Sequence, residues 1–327
     1  MKPAAFLRAS PLVLALVAAG AAAQKKQAAL YLLPRVAPGQ VLRYDVTYHR
    51  LSQVTTTSMV QNPASTVTTD IVISLAVRVQ IAEVTPPAFV ADATPRPSAI
   101  HVYAAYLRAQ AAQRSDDPVV DDRAAEKAIA RLEGKSFDCR IGSDGAAACS
   151  PGSDSDAVAA EGMRRWLAEI FFAARLPQKG ISPGQTWETE EDAGAELPLA
   201  GLRLVRKYLF AGEKPCREPA AAGPGATAPA EACAEIRVNS RLVQKGSKKD
   251  ATPEAFRLRG LRTSGSARGG NESVLLISLA AGLAVSSGGS DRQSADYTIS
   301  SSKAHTAIHT VAEVKTDSDL RQAPDAP

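Results

Sequence analysis

The sequence predicts an α+β protein: a predominantly antiparallel β-sheet, open to curvature into a half-barrel, with two central helices. Two observations predict it. Several stretches alternate apolar and polar residues with a period of two, the mark of strands with one wet face. Two central stretches switch to a period near 3.6 between helix start and stop signals. Alternation of period two fits an antiparallel sheet with one wet face, whereas buried parallel strands would read as continuous apolar runs.

The first strand is read from Leu42, Tyr44, Val46 and Tyr48, which alternate with Arg43, Asp45, Thr47 and His49. A longer one places Ile71, Ile73, Leu75, Val77, Val79 and Ile81 on one face, with Ser74, Arg78 and Gln80 on the other. Ala234, Ile236, Val238 and Leu242 repeat the pattern against Glu235, Arg237, Asn239 and Arg241. Further strands are expected at 100–107, 202–210, 274–279, 283–287, 297–300 and 307–314.

The first helix is expected from Asp117-Pro118, an N-cap residue followed by proline, to Glu133, with Gly134 as its stop. The second is expected from Asp156 to Arg175, where Met163, Leu167, Ile170, Phe171 and Ala174 form an apolar stripe before Pro177. Arg164 and Arg165 are read as its solvated edge. The polar sequence beyond Thr316 is expected to fray. The division is therefore a leader at 1–23, one β-rich region of one domain or two lobes at 24–318, and a flexible tail at 319–327.

The leader reading rests on Lys2 and Arg8, the apolar run 11–23, and Ala21 and Ala23 before Gln24 in an A-x-A arrangement. The run is shorter than the roughly 20 residues of a membrane span. No cysteine stands near the cleavage site, and no second apolar span follows. A cleaved signal peptide, a bacterial source and a periplasmic or secreted destination are the expectation.

Four cysteines fit an oxidising compartment. Cys139 and Cys149 flank the turn sequence Gly142-Ser143-Asp144-Gly145, and a hairpin there sets them opposite each other. Cys216 and Cys233 bracket a Pro/Ala/Gly loop whose neck a bridge would close. Two local disulfides are favoured over a four-cysteine zinc site, which would use closely spaced pairs.

Catalytic patterns fail on inspection. Gly180-Ile181-Ser182-Pro183-Gly184 matches G-x-S-x-G, but Pro183 has no N–H for an oxyanion hole, and the segment follows a helix. It reads as a turn, with a strand beginning at Thr186 and Trp187. Gly134-Lys135-Ser136 has Ile129 where a P-loop needs glycine. Ser300 and Lys303 have penicillin-recognising spacing in a strand-and-turn setting. His305 and His309 would share a metal only on a helix, and their Thr-rich setting reads as strand, as do His49 and His101. Acids gather at Asp121, Asp122, Glu188, Glu190, Glu191 and Asp192, the one opening for a hydrolase. No metal or cofactor is assigned, and a non-enzymatic role is preferred.

A net charge of +4 is mild, but Arg241, Lys245, Lys248, Lys249, Arg257, Arg259, Arg262 and Arg268 crowd one segment, opposed by Asp250 and Glu254. Lys245, Lys248, Lys249, Arg257, Arg259 and Arg262 are candidates for contact with an anionic lipid or envelope surface. Nucleic acid is not expected, because aromatics are not interleaved with the cations.

Gly39-Gln40-Val41-Leu42-Arg43-Tyr44, Gly184-Gln185-Thr186-Trp187 and the hairpin Ile277–Leu283 together resemble a group of secreted bacterial β-rich proteins with no assigned activity. The resemblance implies an exported antiparallel fold and no site. The long strands around helices also look like the half-barrel lipoprotein carriers of the bacterial envelope. Binding of an apolar or amphipathic envelope component in a sheet-lined groove is the functional expectation. A structural or interaction module of the envelope is the alternative.

Overall fold

The computed structural model describes residues 29–58, 64–86, 99–117, 123–150, 157–177, 179–193, 197–217, 231–301, 303 and 305–323. The leader, Asp121, Asp122 and, after Asp117, the predicted first turn of the first helix lie outside them.

Eleven strands form one antiparallel sheet: β1 (Val41–Ser58), β2 (Ser65–Thr85), β3 (Ala99–Ser115), β4 (Ser136–Ile141), β5 (Ala147–Ser150), β6 (Thr186–Asp192), β7 (Leu202–Pro215), β8 (Ala232–Gln244), β9 (Leu261–Ser278), β10 (Ala284–Ser301) and β11 (Thr306–Gln322). The helices are α1 (Arg123–Ala130), α2 (Ala157–Ile170) and the single turn α3 (Glu254–Arg257); a 3₁₀ turn, Phe172–Arg175, follows α2. Strand order is β5-β4-β3-β2-β1-β11-β10-β9-β8-β7-β6. Sequence neighbours pair as meanders on each side, and β1 and β11, from opposite ends of the chain, zip together at the centre.

The sheet is curved, and α2 supplies the proof. This helix packs on β4 and β5 at one edge and also on β10, five places along from β4. Flat, five strand spacings span roughly 24 Å, about twice the width of a helix. The strands between, β3, β2, β1 and β11, make no comparably close backbone approach to α2, as expected of a sheet rolled around it. The fold is thus the expected open, curved antiparallel sheet, with α2 filling one end of the trough.

The sequence explains that packing. Met163, Leu167 and Ile170 are fully buried on one stripe of α2, and Phe171 continues it. They meet Leu42, Tyr44, Val46, Val77, Val79, Ile81, Val102 and Tyr106 from the strands. The 3₁₀ turn carries Phe172 and Ala173 into a second cluster with Phe210, Ile236 and Ile277. Each such side chain contributes about 1.5–3 kcal/mol by leaving water. Two buried phenols pin the layers: Tyr44 donates to the Ala284 carbonyl at 3.0 Å, and Tyr106 to the Ala159 carbonyl at 3.2 Å. Gly162 makes the second contact possible, since a Cβ there would lie 3.1 Å from the Tyr106 hydroxyl.

Both cysteine pairs are bridged as the spacing predicted, Cys139 to Cys149 across β4–β5 and Cys216 to Cys233 at the neck of the β7–β8 loop.

Three expectations need correction. The tail does not begin at 319: β11 runs to Gln322, and Leu320 is buried against the core opposite Val46. Alternation continues through Glu313, Lys315, Asp317, Asp319 and Arg321, all on the wet face. The strands at 274–279 and 297–300 are the ends of much longer ones, β9 and β10, whose Gly/Ser-rich middles pair throughout. The first helix, among the described residues, is shorter than its pattern, ending at Ala130 before a turn; Gly134 closes that turn at φ +79 and donates to the Tyr106 carbonyl.

Candidate functional site

Alternation and register assign every strand residue to one of two faces. On β1, β2, β3, β9, β10 and β11 the inner face, continuous with the residues that meet α2, holds two charged residues, Arg50 and Asp291. The outer face carries the rest. It is laced with pairs such as Arg108–Asp45, Lys315–Asp317 and Arg321–Asp319. Three of the four histidines belong to it: His49 meets Asp70 at 2.8 Å, His101 meets Asp138 at 2.7 Å, and His309 meets Asp296 at 2.8 Å. His305 sits in the β10–β11 turn, so His305 and His309 share no helix face.

Beyond α2 the inner face of β2, β1 and β11 continues as an uncharged strip in which apolar residues are interspersed with Ser52, Thr69, Thr310 and Thr316. Ile73, Ile71 and Val67 of β2, Val54 of β1, and Val314 and Ala312 of β11 line it, all half-buried. Ile73 still packs against the core that holds α2, whereas Ile71, Val67, Val54, Val314 and Ala312 belong to no core cluster among the described residues.

The strip has a polar end. Arg50 faces inward from β1, opposite Ile71 and Thr316, and its Nε is buried without a hydrogen-bond partner. Asp291, on the same level, accepts from the Gln293 amide at 2.7 Å. On the other limb, inner-face Trp187 stacks on Tyr208, ring centroids 5.2 Å apart. Gly184, at φ +81, turns the chain into β6 at the G-x-T-W segment, as read from the sequence.

At the far end of β7–β10 the trough is closed differently. Leu199, Leu202 and Ala251 pack on Ala267 and Ala295. The connection after β8 runs back along β9, with Gly265 donating to the Lys248 carbonyl and Ala251 to the Thr263 carbonyl.

The acidic run is edge strand β6 rather than a cleft. Glu190 is paired with Lys245, Asp192 with Arg203, and Glu191 with Arg206. Lys245 holds the Glu190 carboxyl below the usual range. A charged edge of this kind resists strand addition. Ser182 stands in the turn before β6, its N–H bonded to Gln185 Oε1. Among the described residues no group of three metal-ligating side chains converges, and no helix is long and apolar enough to cross a membrane. One further depression of about 220 Å³ lies by Leu30–Leu33 and the 3₁₀ turn.

The predicted basic residues are only partly brought together. Lys245 is drawn to Glu190, and Arg241 and Arg268 project from the outer face. Lys248, Lys249, Arg257, Arg259 and Arg262 stay in or beside the β8–β9 connection. The uncharged strip and Arg50 were not singled out from the sequence. The signal that finds them is the confinement of charge to alternate positions along β11.

No family model matches this chain, and no curated protein matches it. Among solved structures it is similar to lipovitellin, described for its lipid–protein interactions, at 12% identity and a TM-score of 0.41. That match covers 90% of this chain and 26% of lipovitellin, so the chain spans about a quarter of that protein's length. A monoaromatic hydrocarbon channel, CymD, aligns at 8% identity and a TM-score of 0.11 over 88% of this chain and 89% of the channel. Both scores are below the range in which two chains share a fold.

Proposed function

We propose that the protein is a non-enzymatic binder of an amphipathic envelope component, held in the half of the trough that α2 leaves open. The observation that carries this reading is the partition of charge between the faces of β1, β2 and β11. A trough that simply faced water would carry charges on both sides of these strands; here the inner side carries no charge apart from Arg50, its apolar residues being interspersed with uncharged Ser52, Thr69, Thr310 and Thr316. Apolar chains would lie along Ile71, Val67, Val54 and Val314, and a polar head would sit level with Arg50. The two disulfides support an oxidising, extracytoplasmic setting, where a signal peptide at 1–23 would deliver the chain.

The test is to express the full chain with its leader, purify it without detergent, and extract it for lipid mass spectrometry. A lipid recovered in proportion to protein is expected. Absence of any lipid, together with no binding of an apolar fluorophore, overturns the reading.

A further inference from the structure

Leu258 is 80% exposed in the middle of a cationic stretch. It follows α3 on the turn that returns the chain to β9, between Arg257 and Arg259. Lys248, Lys249 and Arg262 belong to the same connection and the first residues of β9. Lys303, from the β10–β11 turn, reaches Gly260: its Cε lies 3.8 Å from where a Cβ would stand. Against these cations stand Asp250 and Glu254. Glu254 takes Arg257 at 3.5 Å, and Asp250 is occupied by the Thr252 hydroxyl at 2.7 Å. Lys248, Lys249, Arg259 and Lys303 have no acidic partner among the described residues.

This cluster stands at the opposite end of the sheet from α2. Glu169 of α2 accepts a hydrogen bond from Ser287, and Ser301, at the other end of β10, is about 45 Å further along the strand.

We infer that this end of the sheet docks on an anionic lipid bilayer, with Leu258 entering the headgroup region and the surrounding cations meeting lipid phosphates. Charge complementarity selects an anionic partner. The leucine selects a bilayer over a soluble polyanion, because a polyanion rewards the cations alone, whereas an interface rewards apolar insertion beside them. The inference goes beyond ligand binding and holds whether or not the trough is loaded.

Co-sedimentation of the full chain with vesicles tests it. Binding is expected to phosphatidylcholine vesicles containing phosphatidylglycerol, not to phosphatidylcholine alone, and added salt should weaken it. Leu258→Ser should weaken binding about tenfold, and Lys248→Glu or Lys249→Glu at least about fivefold each. Val158→Ser, which alters an 86% exposed residue on α2 at the other end, should leave binding unchanged. All four sites are exposed, and unchanged circular dichroism confirms that the variants fold. Equal binding to neutral and anionic vesicles, or no binding to either, overturns the inference. So does full binding by Leu258→Ser with competition by soluble heparin, which would make the surface a polyanion site.

Discussion

Arg50 and Asp291 flank Thr316 on one level of the inner face, each in register with it from opposite sides, two strand spacings or about 10 Å apart. Asp291 is engaged by Gln293, whereas Arg50 keeps a buried Nε with no partner. Leaving a buried donor unsatisfied costs free energy that a neutral side chain of similar length would not incur. Arg50→Met should therefore leave the empty protein as stable or more stable by about 1 kcal/mol. It should also weaken binding of an anionic amphiphile more than that of a neutral one. Thermal unfolding and paired titrations check this; a large fall in melting temperature would make Arg50 a structural residue.

The alkaline limb of stability follows from the two buried phenols. Burial pushes Tyr106 from 10.0 up to about 12 and raises Tyr44 further. The fold holds these protons more tightly than the unfolded chain. Their contribution is therefore complete below pH 10 and is lost as pH rises through about 12 for Tyr106. Tyr106→Phe should cost about 1 kcal/mol at neutral pH by losing the bond to Ala159. It should also flatten the loss above pH 10. Melting temperature against pH, with tyrosinate absorbance alongside, measures both; an unchanged alkaline limb in the variant contradicts the assignment.

Removing the Cys139–Cys149 bridge should be the costlier of the two single losses. Each closes a short loop, worth about 3 kcal/mol in the chain-entropy model. Cys139 and Cys149 also pack on the main core with Phe137 and α2, whereas Cys216 and Cys233 belong to a small cluster with Val285. Denaturant unfolding of Cys139→Ser/Cys149→Ser against Cys216→Ser/Cys233→Ser gives the order directly.

Phe171 ends the stripe by which α2 holds the rolled sheet, and it is fully buried. Phe171→Ala should cost about 3–5 kcal/mol. Because it joins the helix to the sheet, the variant should also expose apolar surface to a hydrophobic dye near neutral pH. A loss below 1 kcal/mol by denaturant unfolding would mean that the sheet keeps its curvature without the helix.

Much of this architecture is legible locally. Alternation around Leu42–Tyr48, Ile71–Ile81 and Ala234–Leu242 fixes strands and their wet faces, and the stripe from Met163 to Ala174 fixes α2 and its buried side. What escapes is non-local or compositionally masked. Pairing of β1 with β11 joins residues more than two hundred positions apart and leaves no trace in either segment. Gly265, Gly269, Gly270, Gly288 and Gly289 fall outside the alternating stretches read from the sequence, yet they are strand residues in the β9–β10 ladder. At Gly289 a Cβ would meet that of Ser273 at 2.5 Å. The strip is assembled from three strands, each contributing only one to three apolar residues, so no single segment announces it.

Ile71 and Val72 are adjacent in the chain and point to opposite faces, Ile71 into the trough and Val72, 42% exposed, away from it. Titration of Ile71→Asp and Val72→Asp with an apolar fluorophore therefore separates the two faces as binding surfaces. Ile71→Asp should lose binding by about tenfold or more, as expected for a charge in an apolar contact, while Val72→Asp should bind like the parent. Equal effects of the two substitutions, or a parent protein that binds no apolar probe, would contradict binding in the trough.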